Sequence, residues 1–338
     1  MTDKKKPTTY AQAGVDIRSE DTAIKGIKGW MQKTFKFREG KFGSVSMDIG
    51  GYANVVEVGP YLLAITTDGV GSKVLVAQEL NKYDTVGIDV VAMNVNDLIC
   101  VGAEPISMVD YLAVTSVNEH IIRDICAGIY EGARQAQIAV VGGETATLPE
   151  IITGQEGHGF DLAATAVGII ERGKVITGEK IRPGDLVVGI KSSGVHSNGL
   201  TLARKVLPRD MWAHLLTPTR IYVKEAMTLM REYDIHGFAH ITGSAFLKVR
   251  RLTNYGFTFD SLPEPQPVFK KIKELGGITD EEMHKTFNMG VGFCVIASPE
   301  DANAMVEKYG QEYQMTIVGR VDAEPGVRVK VGDKLIKP

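Results

Sequence analysis

The 338-residue chain contains only three cysteines, Cys100, Cys126 and Cys294, which lie far apart in the sequence. An odd number of widely spaced cysteines argues against a disulfide framework and against CxxC zinc sites, so we expect a reducing, cytoplasmic setting. No apolar run reaches the roughly 20 residues of a membrane-spanning helix, and no stretch near Met1 resembles a secretion signal. The formal net charge of -3 argues against a protein that binds nucleic acid mainly through its phosphates.

Glycine, in contrast, is abundant, with 37 residues gathered in a few segments. Two of these segments follow apolar runs and carry the acids Asp68 and Glu144, and a third short segment, residues 94–98, ends an apolar run and carries Asp97 without a glycine. Bare backbone lets N–H groups approach phosphates closely, and carboxylates are the ligands that Mg²⁺ prefers. Together the three segments predict an enzyme that uses ATP.

Each segment also has a simpler interpretation. The first is not a P-loop, because Ser72 precedes Lys73, and it is not a dinucleotide fingerprint, because Val74 stands where a third glycine belongs. Taken alone, it would be a glycine turn in which Asp68 caps the next helix. Glu144 fits a carboxylate at a helix start equally well. For Asp68, the occurrence of three such acid-bearing segments favours nucleotide and metal binding over an ordinary glycine turn.

Residues 85–100 are predicted to form a helix with buried polar groups. Asp89 and Asn96 are seven residues apart and so share one face, with Asp97 next to it. Local hydrogen bonding is a sufficient explanation for Asp89. For Asp97 metal binding is the preferred interpretation, because too many polar groups crowd one turn for simple packing.

Other patterns predict a β-hairpin over 54–66, a helix capped by Asn118, a short buried strand over 138–141, and a helix that opens at Thr217. A shift in composition near residue 171 suggests two domains, 1–170 and 171–338. Each half mixes hairpins with helices, which indicates an α+β fold rather than a regular parallel alternation.

The second half contains a further candidate site at residues 192–199, where small residues join a predicted strand to a helix N-terminus. His196 in this segment could bind a phosphate or carry a proton, although a lone loop histidine more often makes one structural hydrogen bond. His240 has the same two interpretations. Lys28 is either a phosphate ligand or a solvated helix lysine, and the latter is commoner.

Taken together, these segments resemble the phosphoribosylformylglycinamidine cyclo-ligases, also called aminoimidazole ribonucleotide synthetases. The resemblance runs in family order over about residues 10–320. It rests on Tyr10 and residues 13–16, 67–73, 87–93, 96–98, 102–105, 142–146, 192–199, 218–224, 240–243 and 286–292.

The resemblance implies a two-domain α+β ATP-binding fold whose N-terminal strands form a barrel across a homodimer. It implies ATP-dependent cyclisation of formylglycinamidine ribonucleotide to aminoimidazole ribonucleotide in de novo purine biosynthesis, with release of ADP and phosphate. Mg²⁺ is the implied metal, with K⁺ as a second candidate ion. The implied partners are small molecules and a second copy of the chain, not nucleic acid or membrane.

The resemblance also assigns roles to residues of this sequence. The implied catalytic residues are Asp68, Lys28 and His196, the last as the leading candidate for proton transfer. The implied metal ligands are Asp68, Asp97 and Glu144. The implied cofactor-binding residues are Lys28, Asp68, Gly69, Gly71, Lys73, Asp97, Gly142, Gly143 and Glu144. The implied substrate-binding residues are Gly50, Gly51, Ser193, His196, Ser197, Asn198 and His240.

Some positions depart from the family pattern: Ala11 replaces a common lysine, Ser244 and Ala245 replace glycines, and His284 replaces a common tyrosine. Among related enzymes, selenophosphate synthetase would need a reactive cysteine in an N-terminal segment, and thiamine-phosphate kinase finds no support in the segment that begins at His284. A non-catalytic, nucleotide-bound assembly protein is the alternative from another class, and the three acids argue against it.

Overall fold

The computed structural model describes residues 9–14 and 27–338 of the chain. Two separate sheets, each accompanied by helices, form the two halves, which agrees with the predicted α+β class. Residues 15 and 16 of the first family-like segment lie outside the described residues.

The first half is built on a single mixed sheet. Its strands are β1 (Asn54–Val58), β2 (Tyr61–Gly69), β3 (Glu104–Val114), β4 (Ala139–Thr147) and β5 (Phe160–Glu171). Their order across the sheet is β1-β2-β5-β3-β4. Its helices are α1 (27–35), α2 (Val74–Leu80), α3 (Asp84–Cys100) and α4 (Glu119–Ala136), with 3₁₀ turns at Gly71–Lys73 and Gln155–Gly157. The β1–β2 hairpin and α3 match the sequence-based predictions.

One face of this sheet is covered by α3 and α4. Helix α3 lies against β2 and β5 and is buried almost all round, which suits a largely apolar helix. The backbones of helices α4 and α3 touch at Gly128. A Cβ at this position would lie 1.9 Å from a carbonyl oxygen of α3, so only glycine fits. Asn118 caps α4 as predicted, its side chain accepting two backbone N–H groups of the first turn.

The other face of the sheet carries apolar side chains that nothing in the described part of the chain covers. Successive strand residues point to opposite faces, so Ile65, Val109 and Tyr111 lie on the face away from α3. These side chains are 38%, 42% and 42% exposed. We call this surface, together with the exposed Tyr61 and Ile106, the open face.

The strand predicted to be short and buried is instead an exposed edge strand. β4 pairs in parallel with β3 at the end of the sheet order and is exposed along nearly its whole length. Gly142, Gly143 and Glu144 therefore lie within the strand rather than in a loop after it. The prediction of burial was wrong because an apolar run can also be an edge strand that no helix covers.

The second half is built on a larger sheet. Its strands are β6 (Leu186–Lys191), β7 (Ile235–His240), β8 (Gly256–Phe259), β9 (Val291–Ala297), β10 (Met315–Asp322), β11 (Val327–Val331) and β12 (Lys334–Ile336). Their order is β12-β11-β8-β10-β6-β9-β7. Its helices are α5 (Leu200–Val206), α6 (Val223–Glu232), α7 (Pro267–Gly276), α8 (Asp280–Thr286) and α9 (Pro299–Tyr313), with 3₁₀ segments at Arg209–Leu215 and Ala245–Arg251.

Aromatic side chains fill the core of the second half. Phe293 of the fully buried β9 stacks on Tyr222 with ring centroids 5.1 Å apart and lies 5.4 Å from Phe238. Phe246 and Phe259 meet at 4.8 Å. Such pairs add to the free energy of area burial. These aromatic contacts hold the end of β7 and the 245–251 segment in place, and both reach the junction between the halves.

The segment 217–222 is not the helix start that the sequence predicts, since α6 begins at Val223. Its backbone bonds to α3 instead. Thr219 N donates to Asp89 at 2.7 Å, and Asn96 bonds to the same segment once as donor and once as acceptor, each at 2.9 Å. A Thr-Pro pair often opens a helix, but here polar groups of α3 hold the chain in a different conformation. Helix α3 therefore joins the two halves.

The first sheet ends at Glu171 and the second begins at Leu186. The division into residues 1–170 and 171–338 stays a prediction. Among the described residues, no helix combines the length and apolar character needed to cross a membrane.

Candidate active site

Asp68 and Asp97 lie close together where the two halves meet. Asp68 is at the end of β2, where its Oδ1 accepts from Gly69 N at 2.7 Å and its carbonyl oxygen accepts from Asn94 of α3 at 3.2 Å. Burial, and after it the negative charge of Asp97, raises the pKa of the Asp68 carboxyl. A divalent cation would relieve the repulsion between these two acids.

His240 holds Asp97 from the second half of the chain. Its Nδ1 lies 2.9 Å from Asp97 Oδ1, and its Nε2 lies 3.4 Å from the side-chain nitrogen of Asn96. The His240 side chain is fully buried, whereas Asp97 keeps 15% of its side chain exposed. The histidine thus orients the carboxylate, as partners of metal-binding carboxylates commonly do.

Two cationic residues of this junction were missed by the sequence analysis. Burial, and after it the charge of Arg251, lowers the pKa of the Lys248 ammonium, while Asp97 and Asp68 oppose that change. The Tyr52 hydroxyl donates to the Lys248 carbonyl oxygen at 3.4 Å, and the Arg251 guanidinium lies 5.6 Å from the Tyr52 ring. The signal was the basic run over residues 248–251, which follows His240 closely in the sequence.

Gly50 and Gly51 lie beside this junction, and Lys28 pairs with the exposed Asp48 just before them in the sequence. Arg251 donates to Gly51 O at 3.4 Å, and Gly50 has φ +138°, a conformation that favours glycine. Lys28 Nζ lies 2.8 Å from Asp48 Oδ2, with the two side chains 35% and 61% exposed. An exposed ion pair of this kind is weak, so Lys28 can exchange Asp48 for an anionic ligand.

Glu144 does not join Asp68 in one metal site within the chain. The pairings Glu144–Tyr111, Tyr111–Ala163 and Ala163–Gly69 put Glu144 three strands away from the end of β2, roughly 14 Å across the sheet. Strand alternation puts Glu144 on the open face with Tyr111, whereas Asp68 points to the helix-covered face. Strand order cannot be read from local sequence patterns, and so the prediction grouped three acids that the chain does not bring together.

Lys73 is also not where the prediction placed it. Its ammonium lies 2.9 and 2.8 Å from the two oxygens of Asp89 and donates to Thr217 O at 2.7 Å. Both side chains of the ion pair are fully buried. Lys73 therefore points into the junction between the halves and not toward a phosphate. Gly71, in contrast, has φ +67° and open space where a Cβ would be, which leaves room for a ligand.

His196 is fully buried, which does not fit a proton carrier. Its Nε2 accepts from Ser193 N at 3.2 Å, and its ring lies 6.3 Å from that of Tyr222. Burial lowers the pKa of His196 well below its usual value, so the ring is neutral at pH 7. As placed, His196 makes the single structural hydrogen bond of the simpler interpretation.

The rest of the predicted substrate loop borders the same junction. Ser197 Oγ donates to Asp89 Oδ1 at 3.2 Å, and Ser193 Oγ donates to Pro218 O. The side-chain nitrogen of Asn198 is buried, and no hydrogen-bond acceptor for it is found in the described part of the chain. A buried donor without an acceptor is costly, and a bound ligand would satisfy it.

The Ser244–Ala245 departure lies beside this loop. Ser244 and Ala245 have φ +67° and +41°, in the left-handed region that glycine adopts without strain. The turn therefore keeps a conformation typical of the glycines expected there, although it carries two side chains. Asn198 Oδ1 is 3.3 Å from the position of a Cβ on the neighbouring Gly243.

The donor set fits a Mg²⁺ ion that also binds phosphate. Among the residues described, no group of three or more His, Cys, Asp or Glu side chains could hold a metal alone. Mg²⁺ is commonly bound by one or two carboxylates together with phosphate oxygens and water. Asp68 and Asp97 supply two carboxylates and leave the remaining positions to a nucleotide. A separate cavity of about 800 Å³ contains none of the predicted site residues.

Two family models match the chain. The AIR synthase related protein N-terminal domain matches residues 50–170, and the corresponding C-terminal domain matches residues 182–332. The chain therefore belongs to the AIR synthase related family. This confirms the family predicted from the motifs and, with it, the class of enzyme, an ATP-using ligase that forms a carbon–nitrogen bond.

The similar proteins include two archaeal enzymes named phosphoribosylformylglycinamidine cyclo-ligase. That of Pyrococcus furiosus is 51% identical over 95% of this chain and 97% of its own length. That of Methanocaldococcus jannaschii is 48% identical over 93% and 92%. Among solved structures, AaThiL complexed with AMPPCP and TMP matches with a TM-score of 0.64 at 19% identity, covering 91% of this chain and 96% of that one. This last likeness shows the fold alone.

The neighbouring glycines of β4 provide a test of their separate roles. A Cβ on Gly143 would lie 2.4 Å from Asp110 Oδ1 and 2.9 Å from Asp110 O, whereas one on Gly142 meets nothing within 4 Å. We expect Gly143→Ala to lower the free energy of unfolding by about 1–3 kcal/mol. Gly142→Ala should leave it unchanged and weaken ATP binding. Denaturant unfolding and calorimetric titration measure the two effects, and equal loss of stability in both variants would contradict this account.

Proposed function

We propose that this chain uses ATP to close the imidazole ring of formylglycinamidine ribonucleotide, giving aminoimidazole ribonucleotide, ADP and phosphate. The observation that carries the proposal is the Asp68–Asp97 pair at the junction of two AIR synthase related domains. The high identity to the archaeal cyclo-ligases over nearly the whole chain supports this substrate.

We assign the nucleotide and its metal to the first half of the chain. Asp68 and Asp97 would hold Mg²⁺, which neutralises phosphate charge when bound, with K⁺ as a second candidate ion. The glycine backbone at Gly69 and Gly71 can approach the phosphates closely, since Gly71 has open space beside it. Lys28 is accessible enough to bind a phosphate. Gly142 and Glu144 lie on the open face, on the opposite side of the sheet from Asp68. They would therefore contact only a nucleotide group that reaches the open face.

We assign the ribonucleotide to the second half of the chain and the 50–51 turn. In the proposed reaction, the γ-phosphoryl group of ATP moves to the formyl amide oxygen, an amidine nitrogen attacks the activated carbon, and the carbon–oxygen bond breaks to release phosphate. The chain has to position both reactants and stabilise charge on the transferred group. Lys248 and Arg251 supply positive charge beside the two acids. His196 supports the loop through its hydrogen bond to Ser193 N, and its complete burial argues against the proton transfer that the resemblance implies.

We further propose a homodimer in the cytoplasm, with the N-terminal strands of two copies forming a barrel. The open face supports this arrangement, because contiguous apolar side chains on a sheet are usually covered by a partner. Glu144 and Gly142 lie at the edge of the same face, so dimerisation would bring them next to the second copy.

The activity itself is tested by incubating the purified full chain with Mg²⁺-ATP and formylglycinamidine ribonucleotide. We expect aminoimidazole ribonucleotide and ADP in equal amounts, with ADP release dependent on the ribonucleotide. Omission of the ribonucleotide is the control. Absence of the imidazole product under these conditions would refute the proposed function.

The metal assignment predicts opposite effects on binding and stability. Asp68→Asn removes a buried negative charge next to Asp97, so the free energy of unfolding without ligand should rise by about 1 kcal/mol. Mg²⁺-ATP affinity should fall at least tenfold, because a metal ligand is lost. Asp97→Asn should likewise weaken Mg²⁺-ATP binding while the protein stays folded. Calorimetric titration and denaturant unfolding measure these effects, and the exposed Asp333→Asn is the matched control. Wild-type Mg²⁺-ATP affinity in both Asp68→Asn and Asp97→Asn would show that these two carboxylates do not bind the metal.

The dimer predicts that a charge on the open face separates the copies. Val109→Asp places a carboxylate on the open face without disturbing the core, and we expect a monomer by light scattering coupled to size exclusion. Val117→Asp, at a position 65% exposed outside the sheet, should remain a dimer. A wild-type monomer, or a dimeric Val109→Asp protein, would show that the open face is not the interface.

A further inference from the structure

The buried ion pair between Lys73 and Asp89 is unusual for the junction of two halves of a chain. Both side chains are fully buried, and each oxygen of Asp89 lies within 2.9 Å of the ammonium. Taking two charges out of water is expensive, and a well-packed apolar pair in such a place is often at least as stable. Stability is therefore a weak explanation for this pair.

Asp89 makes further bonds that reach across to the second half. Besides the ammonium, its Oδ1 accepts from Thr219 N at 2.7 Å, from Thr219 Oγ1 at 2.6 Å and from Ser197 Oγ at 3.2 Å. Lys73 adds a bond to Thr217 O at 2.7 Å. The pair thus ties together two separate segments of the second half, 192–199 and 217–219, and holds both against α3.

The 192–199 segment carries donors that we assign to the ribonucleotide, and the 217–219 segment is bonded to it. Ser197 precedes Asn198, whose side-chain nitrogen is buried without an acceptor in the described residues. Ser193 Oγ donates to Pro218 O, so a shift of one segment moves the other. Asp89 lies eight residues before Asp97 on α3, roughly 12 Å along the helix, and therefore acts at a distance from the metal-binding acids.

We propose that Asp89, held by Lys73, is a positioning residue that sets the 192–199 and 217–219 segments in the conformation that binds the ribonucleotide. This proposal rests on the proposed function. The proposal depends on a hydrogen-bond acceptor at position 89, because without that oxygen Thr219 and Ser197 lose the hydrogen bonds that hold their segments in place. The negative charge of Asp89 neutralises the buried Lys73 ammonium. The acceptor oxygen, and not the charge, orders the 192–199 and 217–219 segments.

The test compares two double variants that both remove the buried charges. Lys73→Met with Asp89→Asn keeps an acceptor oxygen for Thr219 and Ser197, whereas Lys73→Met with Asp89→Leu does not. Neither leaves an unpaired charge, so we expect similar Tm values for the two. With the Asn variant we expect a KM for formylglycinamidine ribonucleotide within about threefold of the wild type. With the Leu variant we expect an increase of about tenfold or more, with Mg²⁺-ATP affinity unchanged in both.

The single variants Ser197→Ala and Thr219→Val are a milder form of the same test and keep the ion pair intact. Each should raise the same KM severalfold without changing Mg²⁺-ATP affinity, so the proposal remains testable if the double variants do not fold. Equal KM values in the Asn and Leu double variants, or wild-type KM in both single variants, would overturn the positioning role. Failure of the wild-type chain to form aminoimidazole ribonucleotide would instead refute the proposed function and remove the basis of this inference.

Discussion

Helix α3 meets the second half of the chain through buried polar side chains, and the geometry of the site depends on that contact. Asp89 and Asn96 both bond to the 217–222 segment, whereas Asp97 bonds to His240 at the end of β7, and none of these bonds is a simple apolar contact. A buried polar group that loses its partner costs far more than the net gain of one hydrogen bond. The relative position of the halves is therefore specified at three points along one rigid helix.

The same contact explains the electrostatics of the site. Bringing the end of β2 against α3 places Asp68 beside Asp97 in a poorly solvated region, where burial, and after it the charge of Asp97, raises the pKa of the Asp68 carboxyl. The second half supplies the compensating groups, His240 on Asp97 and the cations Lys248 and Arg251 nearby. A site with two close acids and two nearby cations is suited to a metal-bound polyphosphate, whose charge pattern is complementary.

Local patterns predicted much of this arrangement. The hairpin before Asp68, the extent of α3, the cap at Asn118 and the shared face of Asp89 and Asn96 follow from turn residues and helical periodicity. Strand order does not follow from such patterns, and so Glu144 was grouped with acids that face the other side of the sheet. Lys73 and Asp89 were each singled out, but their pairing is a tertiary contact. Lys248 and Arg251 were overlooked because a basic run is usually a solvated surface.

The central claim is that Asp68 and Asp97, and not Glu144 of the same chain, bind the metal of the nucleotide complex. A crystal structure of the full chain with Mg²⁺ and a non-hydrolysable ATP analogue tests it most directly. The account predicts oxygens of Asp68 and Asp97 at about 2.1 Å from Mg²⁺, with phosphate oxygens and water completing the octahedron. A metal bound elsewhere, with both carboxylates outside its coordination sphere, would contradict it.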